Sequence, residues 1–202
     1  MTGNTLEPRR RPTQARSART FDLILETATL LLLEKGWDGF TTNALAERCG
    51  IGIQTLYRYF PNKLAVVTAL SQQAMDEWNT WFDDIDEIAA LGNWPALVQR
   101  THARFSGRPA LIAVRKAMKA SPALRELDQK DSTLLARRFA EAITRHNPEI
   151  TSDDATTMAR VIIECCTSIF DMVQDMPRAA AQAHLKVVEG MVTSYLAVRL
   201  PK

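Results

Sequence analysis

Residues whose types and spacing suit DNA recognition are concentrated between Thr41 and Lys63, in TTNALAERCGIGIQTLYRYFPNK. Gln54 carries an amide able to reach a base edge, and Arg58 carries a cation suited to phosphate or guanine. A helix start is signalled at Thr42, a cap-type hydroxyl residue ahead of good helix formers, with Glu47 and Arg48 on the outer side. Gly50 stops that helix and can take the positive φ that a tight turn requires. Ala46 is small where two helices cross, and Leu56 supplies the apolar plug from the second helix. The pattern predicts a helix-turn-helix. Its second helix shows Gln54, Thr55, Tyr57, Arg58 and Tyr59 on the polar side while Leu56 and Phe60 point inward, a surface made for base edges and phosphates.

TLYRYFPNK, from Thr55 to Lys63, resembles the end of the recognition helix and the start of the fourth helix in the TetR family of bacterial transcriptional regulators. The resemblance covers about the first third of the chain. By motif position it implies that Thr42, Thr55, Tyr57, Tyr59 and Lys63 contact bases or the DNA backbone. It also implies a homodimer on a palindromic operator and a ligand cavity inside a helical second domain. Two positions depart from the family pattern: Gly52 stands where Ser is common, and Gln54 where Gly is frequent. Gly52 still begins a helix at a cost of a few tenths of a kcal/mol relative to a Ser cap. Gln54 adds a base-reading amide, so the operator of better-known relatives does not carry over.

The 202-residue chain has a net charge of only +2, but the charge is unevenly placed. Residues 1–20 hold Arg9, Arg10, Arg11, Arg16 and Arg19 against Glu7 alone, a local +4, so the remainder sums to −2. The segment 1–19, with Pro8 and Pro12, reads as a basic flexible arm outside the first helix. Next to a helix-turn-helix, Arg9, Arg10, Arg11 and Arg16 are expected to lie against phosphates or in a minor groove. The alternative is a solubilising tail.

An all-α fold is expected, because the hydrophobic period is helical throughout. Phe21, Ile24, Leu25, Ala28, Leu31 and Leu32 form one apolar face of a first helix that ends at Gly36, and Trp37 and Phe40 plug the core beside it. Pro61 and Asn62 break the recognition helix and start a fourth, the connector. Further helices are expected over about 69–90, 95–106, 109–119, 122–146, 152–176 and 178–199. This gives a helix-turn-helix domain over 20–63 and a helical effector-binding and dimerisation domain over 64–202.

Within the second domain, Met158, Val161, Ile162, Cys165, Cys166, Ile169, Phe170 and Val173, with Leu185, Val188, Met191, Val192, Tyr195 and Leu196, spread over a wider arc of the last two helices than one core face requires. Met158, Ile162, Cys165, Ile169, Val173, Leu185, Val188, Val192 and Tyr195 are the candidates for a seam. The second face suits either a larger monomeric core or a four-helix interface between two copies, and the single reading head per chain favours the interface. Trp78, Trp81, Phe82, Trp94, His102, Phe105, Met118 and Phe139 enrich the middle third in large polarisable side chains. They are the candidate lining for a small apolar or aromatic effector. The histidines are scattered and no Cys pair has zinc spacing, so no metal or other cofactor is expected. No nucleophile elbow or dinucleotide loop appears. The three cysteines fit a reducing cytoplasm, and no apolar run is long enough for a membrane. The sequence thus supports a ligand-responsive DNA-binding regulator, ahead of a regulator without an effector and well ahead of a helical enzyme.

Overall fold

The computed structural model describes residues 13–200, and every regular element among them is helical. In chain order these are α1 (Ala15–Gly39), α2 (Thr42–Arg48), α3 (Ile53–Tyr59), α4 (Lys63–Asn79), a 3-10 turn (Thr80–Phe82), α5 (Ile85–Leu91), α6 (Trp94–Ser106), α7 (Pro109–Ala120), α8 (Pro122–His146), α9 (Ser152–Val173) and α10 (Arg178–Arg199). Two compact units result: the chain up to Glu77 with Pro109–Asp128, and Trp78–Arg108 with the chain from Gln129 onward. Helices α4 and α8 each contribute residues to both.

In the first unit the expected face of α1, from Phe21 to Leu32, is buried. Two seven-residue helices cannot cover a helix that long. Helix α7 packs along α1 and brings Leu111, Val114, Ala117 and Met118 into the core. The unit therefore does not close at residue 63, as the sequence suggested, but draws a segment from mid-chain. Helix α1 also begins earlier than expected, at Ala15, because Ala15, Arg16, Ala18 and Arg19 are strong helix formers. Arg16 is thus an exposed residue of the first helical turn rather than part of an arm. Arg9, Arg10 and Arg11 lie outside the described residues.

Gly36 breaks α1 with φ 62° and ψ −172°, a conformation open almost only to glycine. A Cβ built there meets nothing within 4 Å, so only the backbone resists substitution. Gly36→Ala is expected to destabilise the fold by about 1–3 kcal/mol. Thermal unfolding should show a lower Tm with helix content otherwise intact; an unchanged Tm would refute this account of the kink.

The second unit packs α10 on α9 and α6, with α5 against α6. The expected helix over 69–90 is instead two helices separated by the turn at Thr80–Phe82. Side chains take over the carbonyls that the break releases. Arg138 donates to the carbonyls of Asn79 at 3.1 Å and Phe82 at 3.2 Å, while Arg100 donates to that of Trp81 at 3.2 Å and pairs with Asp84. That ion pair holds the Asp84 carboxyl below the usual range. At the start of α9 the Thr151 hydroxyl accepts from the Asp154 N–H at 3.1 Å, an N-cap.

Candidate nucleic-acid interface

The turn between α2 and α3 is closed by backbone bonds around Gly50, whose φ is 66°. Gly50 N–H donates to the Glu47 carbonyl at 3.0 Å and Ile51 N–H to that of Ala46 at 3.1 Å. Leu45, Leu56 and Phe60 are fully buried, and Ala46 is nearly so, which fixes the crossing of the two helices as expected. The cap of α2 is Thr41, one residue before the expected one: its hydroxyl accepts from Ala44 N–H at 3.2 Å. This frees Thr42 for another role. Arg48 bonds both oxygens of the exposed Glu34 carboxylate and so ties α2 to α1. The guanidinium holds Glu34 below the ordinary carboxylate range.

Gln54 and Arg58 are exposed side by side on α3, and Arg58 reaches the hydroxyl of half-buried Thr55 at 3.5 Å. Thr42 Oγ1 and the Tyr57 hydroxyl share a hydrogen bond of 3.3 Å. These two residues and Lys63 surround one surface depression, with Thr41, Pro61 and Asn62 completing its rim. The Lys63 ammonium lies 4.0 Å above the Trp37 ring, which steadies its long stem. Asn62 caps α4 by accepting from Ala65 N–H at 2.9 Å, so the positive end of the α4 dipole adds to Lys63. Hydroxyls, an ammonium and a helix start in one concavity suit a phosphate oxygen. Tyr59 departs from its expected position: its ring is half-buried, edge-on to Phe21 at 6.4 Å, because α3 is too short to keep its last turn clear of α1.

The residues proposed from sequence for an effector site separate into groups. Phe82 and Phe139 meet at 5.4 Å and line an apolar void together with Leu97, Val98, Thr101, Leu135, Cys166 and Phe170. Trp94 lies against a neighbouring void. Trp78, Trp81 and Phe105 form a stack of their own, continued by Phe170, and His102 rests on Phe170 at 5.5 Å. Burial pushes the His102 imidazole below its ordinary pKa. Met118 does not belong to this set: it is fully buried in the first unit, in the α7 face that covers α1. Sequence reasoning missed Leu97, Val98 and Thr101, although with Trp94 they fall at i, i+3, i+4 and i+7 on α6, a signal that was available.

The residues proposed for a seam between copies also divide. Met158, Val173, Val188 and Val192 are buried within the unit, Ile162, Ile169 and Leu185 are half-buried, and Cys165 and Tyr195 are exposed. Two others of the same apolar arc stand further out, Val161 at 56% exposure and Met191 at 61%. Together with Tyr195 and Cys165 they edge a groove between α9 and α10 whose floor includes Val188 and Val192. The hydrophobic arc was wide enough for two faces, but periodicity alone does not tell which face turns inward.

A helix-turn-helix joined to a helical unit with its own apolar voids defines a one-headed transcriptional regulator. Residues 24–70 match the family model "Bacterial regulatory proteins, tetR family", and residues 95–196 match "Tetracyclin repressor-like, C-terminal domain". The chain belongs to the TetR family of transcriptional regulators, not to a class of enzymes. It is 24% identical over 98% of its length to the HTH-type transcriptional regulator AlkX of Mycobacterium tuberculosis, covering 97% of that protein. It is 29% identical over 56% of its length to the class C tetracycline repressor of Escherichia coli, covering 51% of it. In fold it resembles a TetR-family regulator of Mesorhizobium loti (TM-score 0.63, 20% identity, 92% of this chain and 98% of the other). The fatty acid degradation regulator FadR of Bacillus halodurans is similar to the same degree (TM-score 0.63, 16% identity, 88% and 96%). No helix among the described residues is long and apolar enough to cross a membrane.

Proposed function

We propose that this regulator is a repressor that binds a palindromic DNA operator as a homodimer and is released by a small apolar effector held in the second unit. The observation that carries the reading is the convergence of Thr42, Tyr57 and Lys63 on one surface depression beside exposed Gln54 and Arg58. Lys63, Thr42 and Tyr57 hold the backbone and set register, Thr55 supports Arg58, and Gln54 and Arg58 read bases. Tyr59 acts mainly by bracing α3 on α1. Two heads placed about 34–36 Å apart enter successive major grooves. The apolar groove at Val161, Met191 and Tyr195 is the surface through which two copies associate.

Release requires the effector to favour the DNA-incompetent state. A thousandfold loss of operator affinity corresponds to a preference of about 4 kcal/mol. The continuity of α4 and α8 through both units gives the change a covalent route. The name of the class C tetracycline repressor, similar over about half of this chain, supports repression as the direction of control.

Titrations of the protein with palindromic and half-site duplexes, combined with light scattering, test the assignment. A dimer that prefers the full palindrome supports it; a monomer that binds one half-site as tightly overturns it. The basic segment gives a further expected result. Deleting residues 1–14 removes Arg9, Arg10 and Arg11 and leaves α1 whole, so circular dichroism should not change. DNA affinity should fall, and the log–log salt slope should drop by up to about 0.9 for each phosphate that these arginines neutralise. Unchanged affinity at low salt would make this segment a solubilising tail.

A further inference from the structure

Three voids lie in line within the second unit. The inner void, the one farthest from His146 along the row, is about 60 Å³ and is bounded by Thr101, Leu135 and Phe170 at its far end. The middle one, about 20 Å³, shares Leu97, Val98, Phe139 and Ile162 with it. The outermost is a surface cleft of about 730 Å³ that shares Trp94 and Leu196 with the middle void and adds His146, Asn147 and Thr193.

The order of these voids is the same along the helices that wall more than one of them. Along the row, α6 offers Thr101, Val98, Leu97 and then Trp94, and α8 offers Leu135, Phe139, Ile143 and then His146, with Asn147 just past its end. Helix α9 runs from Phe170 through Ile162 to Ala159, and α10 from Val192 through Leu196 to Leu200. At ~1.5 Å per residue, the α6 face spans about 10 Å and the α8 face about 18 Å. No charged side chain lines the inner or the middle void. Hydrogen-bonding groups gather only at the mouth, where His146 also faces Asp86 at 3.4 Å.

We infer, building on the reading that the second unit takes an apolar effector, that this effector is an unbranched amphiphile. Its hydrocarbon tail lies along the three voids, and its hydrogen-bonding head group sits in the cleft beside His146, Asn147 and Thr193. An extended chain with ~1.5 Å carbon–carbon bonds advances about 1.3 Å per carbon, so the 10–18 Å path takes about eight to fourteen carbons. Shape separates this from a rigid ring system. The inner and middle voids, about 60 and 20 Å³, must widen for either occupant, and a rigid fused-ring body would have to displace several walls at once. A thin tail needs only rotamer changes of Leu97, Val98 and Ile162, taken one at a time.

The test uses the full-length protein, with thermal shift and intrinsic tryptophan fluorescence as readouts. The probes are primary alcohols and carboxylates from four to sixteen carbons, with naphthalene as the compact control. Affinity should rise about fourfold per methylene, from ~0.8 kcal/mol each, and level off within the eight-to-fourteen-carbon range. The alcohol and carboxylate series identify the head group. Trp94→Phe should remove most of the fluorescence change. Val98→Phe narrows the passage into the inner void and should end the rise several carbons earlier while short chains bind as before; Val98→Leu, a milder change, should shift it in the same direction. A plateau unmoved by either variant in folded protein would overturn the inference. So would naphthalene binding without chain-length dependence, which would leave a compact apolar effector in place. If neither series nor naphthalene binds while operator binding is intact, the inference falls together with the effector reading.

Discussion

Met191→Asp is expected to give a folded monomer, whereas Val192→Asp, one residue along the same helix, is expected to unfold the protein. Met191 is 61% exposed at the edge of the α9–α10 groove and Val192 is 6% exposed inside the unit. A charge at Met191 costs little in the separated chain, since surface substitutions usually fall within about 0.5 kcal/mol. In a symmetric dimer the charge enters the interface twice, and each uncompensated copy costs several kcal/mol. Association should weaken by more than a thousandfold, and palindrome binding with it. At Val192 an unpaired buried carboxylate costs about 3–5 kcal/mol, a large share of a typical total of 5–15 kcal/mol. Light scattering and circular dichroism, run on both variants, check the contrast. A Met191→Asp protein still dimeric at micromolar concentration would move the interface off this groove.

Lys63→Ala and Gln54→Ala should both impair operator binding, but in different ways. Lys63 lies at the start of α4 in the depression with Tyr57 and Thr42, positioned for a phosphate. Its loss should weaken binding to every duplex and lower the log–log salt slope by about 0.9 per head, or about 2 per dimer. Gln54 is exposed on α3 and free to form a bidentate pair with adenine, worth about 1–3 kcal/mol of discrimination per base pair. Over two half-sites this is about 2–6 kcal/mol, between roughly thirtyfold and twenty-thousandfold in specificity, with the salt slope nearly unchanged. Titrations at several salt concentrations with operator and scrambled duplexes measure both quantities. Equal loss of sequence preference in the two variants would remove this division of roles.

What is legible in the sequence is what local chemistry determines. The apolar face of α1, the turn at Gly50, the break at Gly36 and the inward Leu56 and Phe60 follow from a 3.6-residue period and from glycine's access to positive φ, and all are observed. Thr41 and Thr42 make equally good caps on paper, so only the folded backbone distinguishes the cap from the residue beside it. The inward and outward faces of α9 and α10 are not legible, since both are apolar and only packing against α6 distinguishes Val192 from Met191. Met118 escapes sequence reasoning for a related reason: its neighbours on α1 are about ninety residues away in the chain. The aromatic residues stand out by type, but not their arrangement. Phe82 and Phe139 reach a void, whereas Trp78 stacks on Phe105 and Trp81 meets Phe105 edge-on.

The lodging of α7 against α1 bears on how the protein is made and how it can be recombined. A ribosome releases the whole helix-turn-helix before it has synthesised the helix that covers α1, and some fifty residues separate Lys63 from the heart of α7. Until α7 emerges, Leu111, Val114, Ala117 and Met118 are missing from a core that α1 has already half assembled. A fragment ending at Glu77 would leave that apolar strip bare and prone to aggregation. A chimaera meant to carry this operator preference onto another regulator would accordingly need two inserts, the chain up to Glu77 and Pro109–Asp128, rather than a single N-terminal graft.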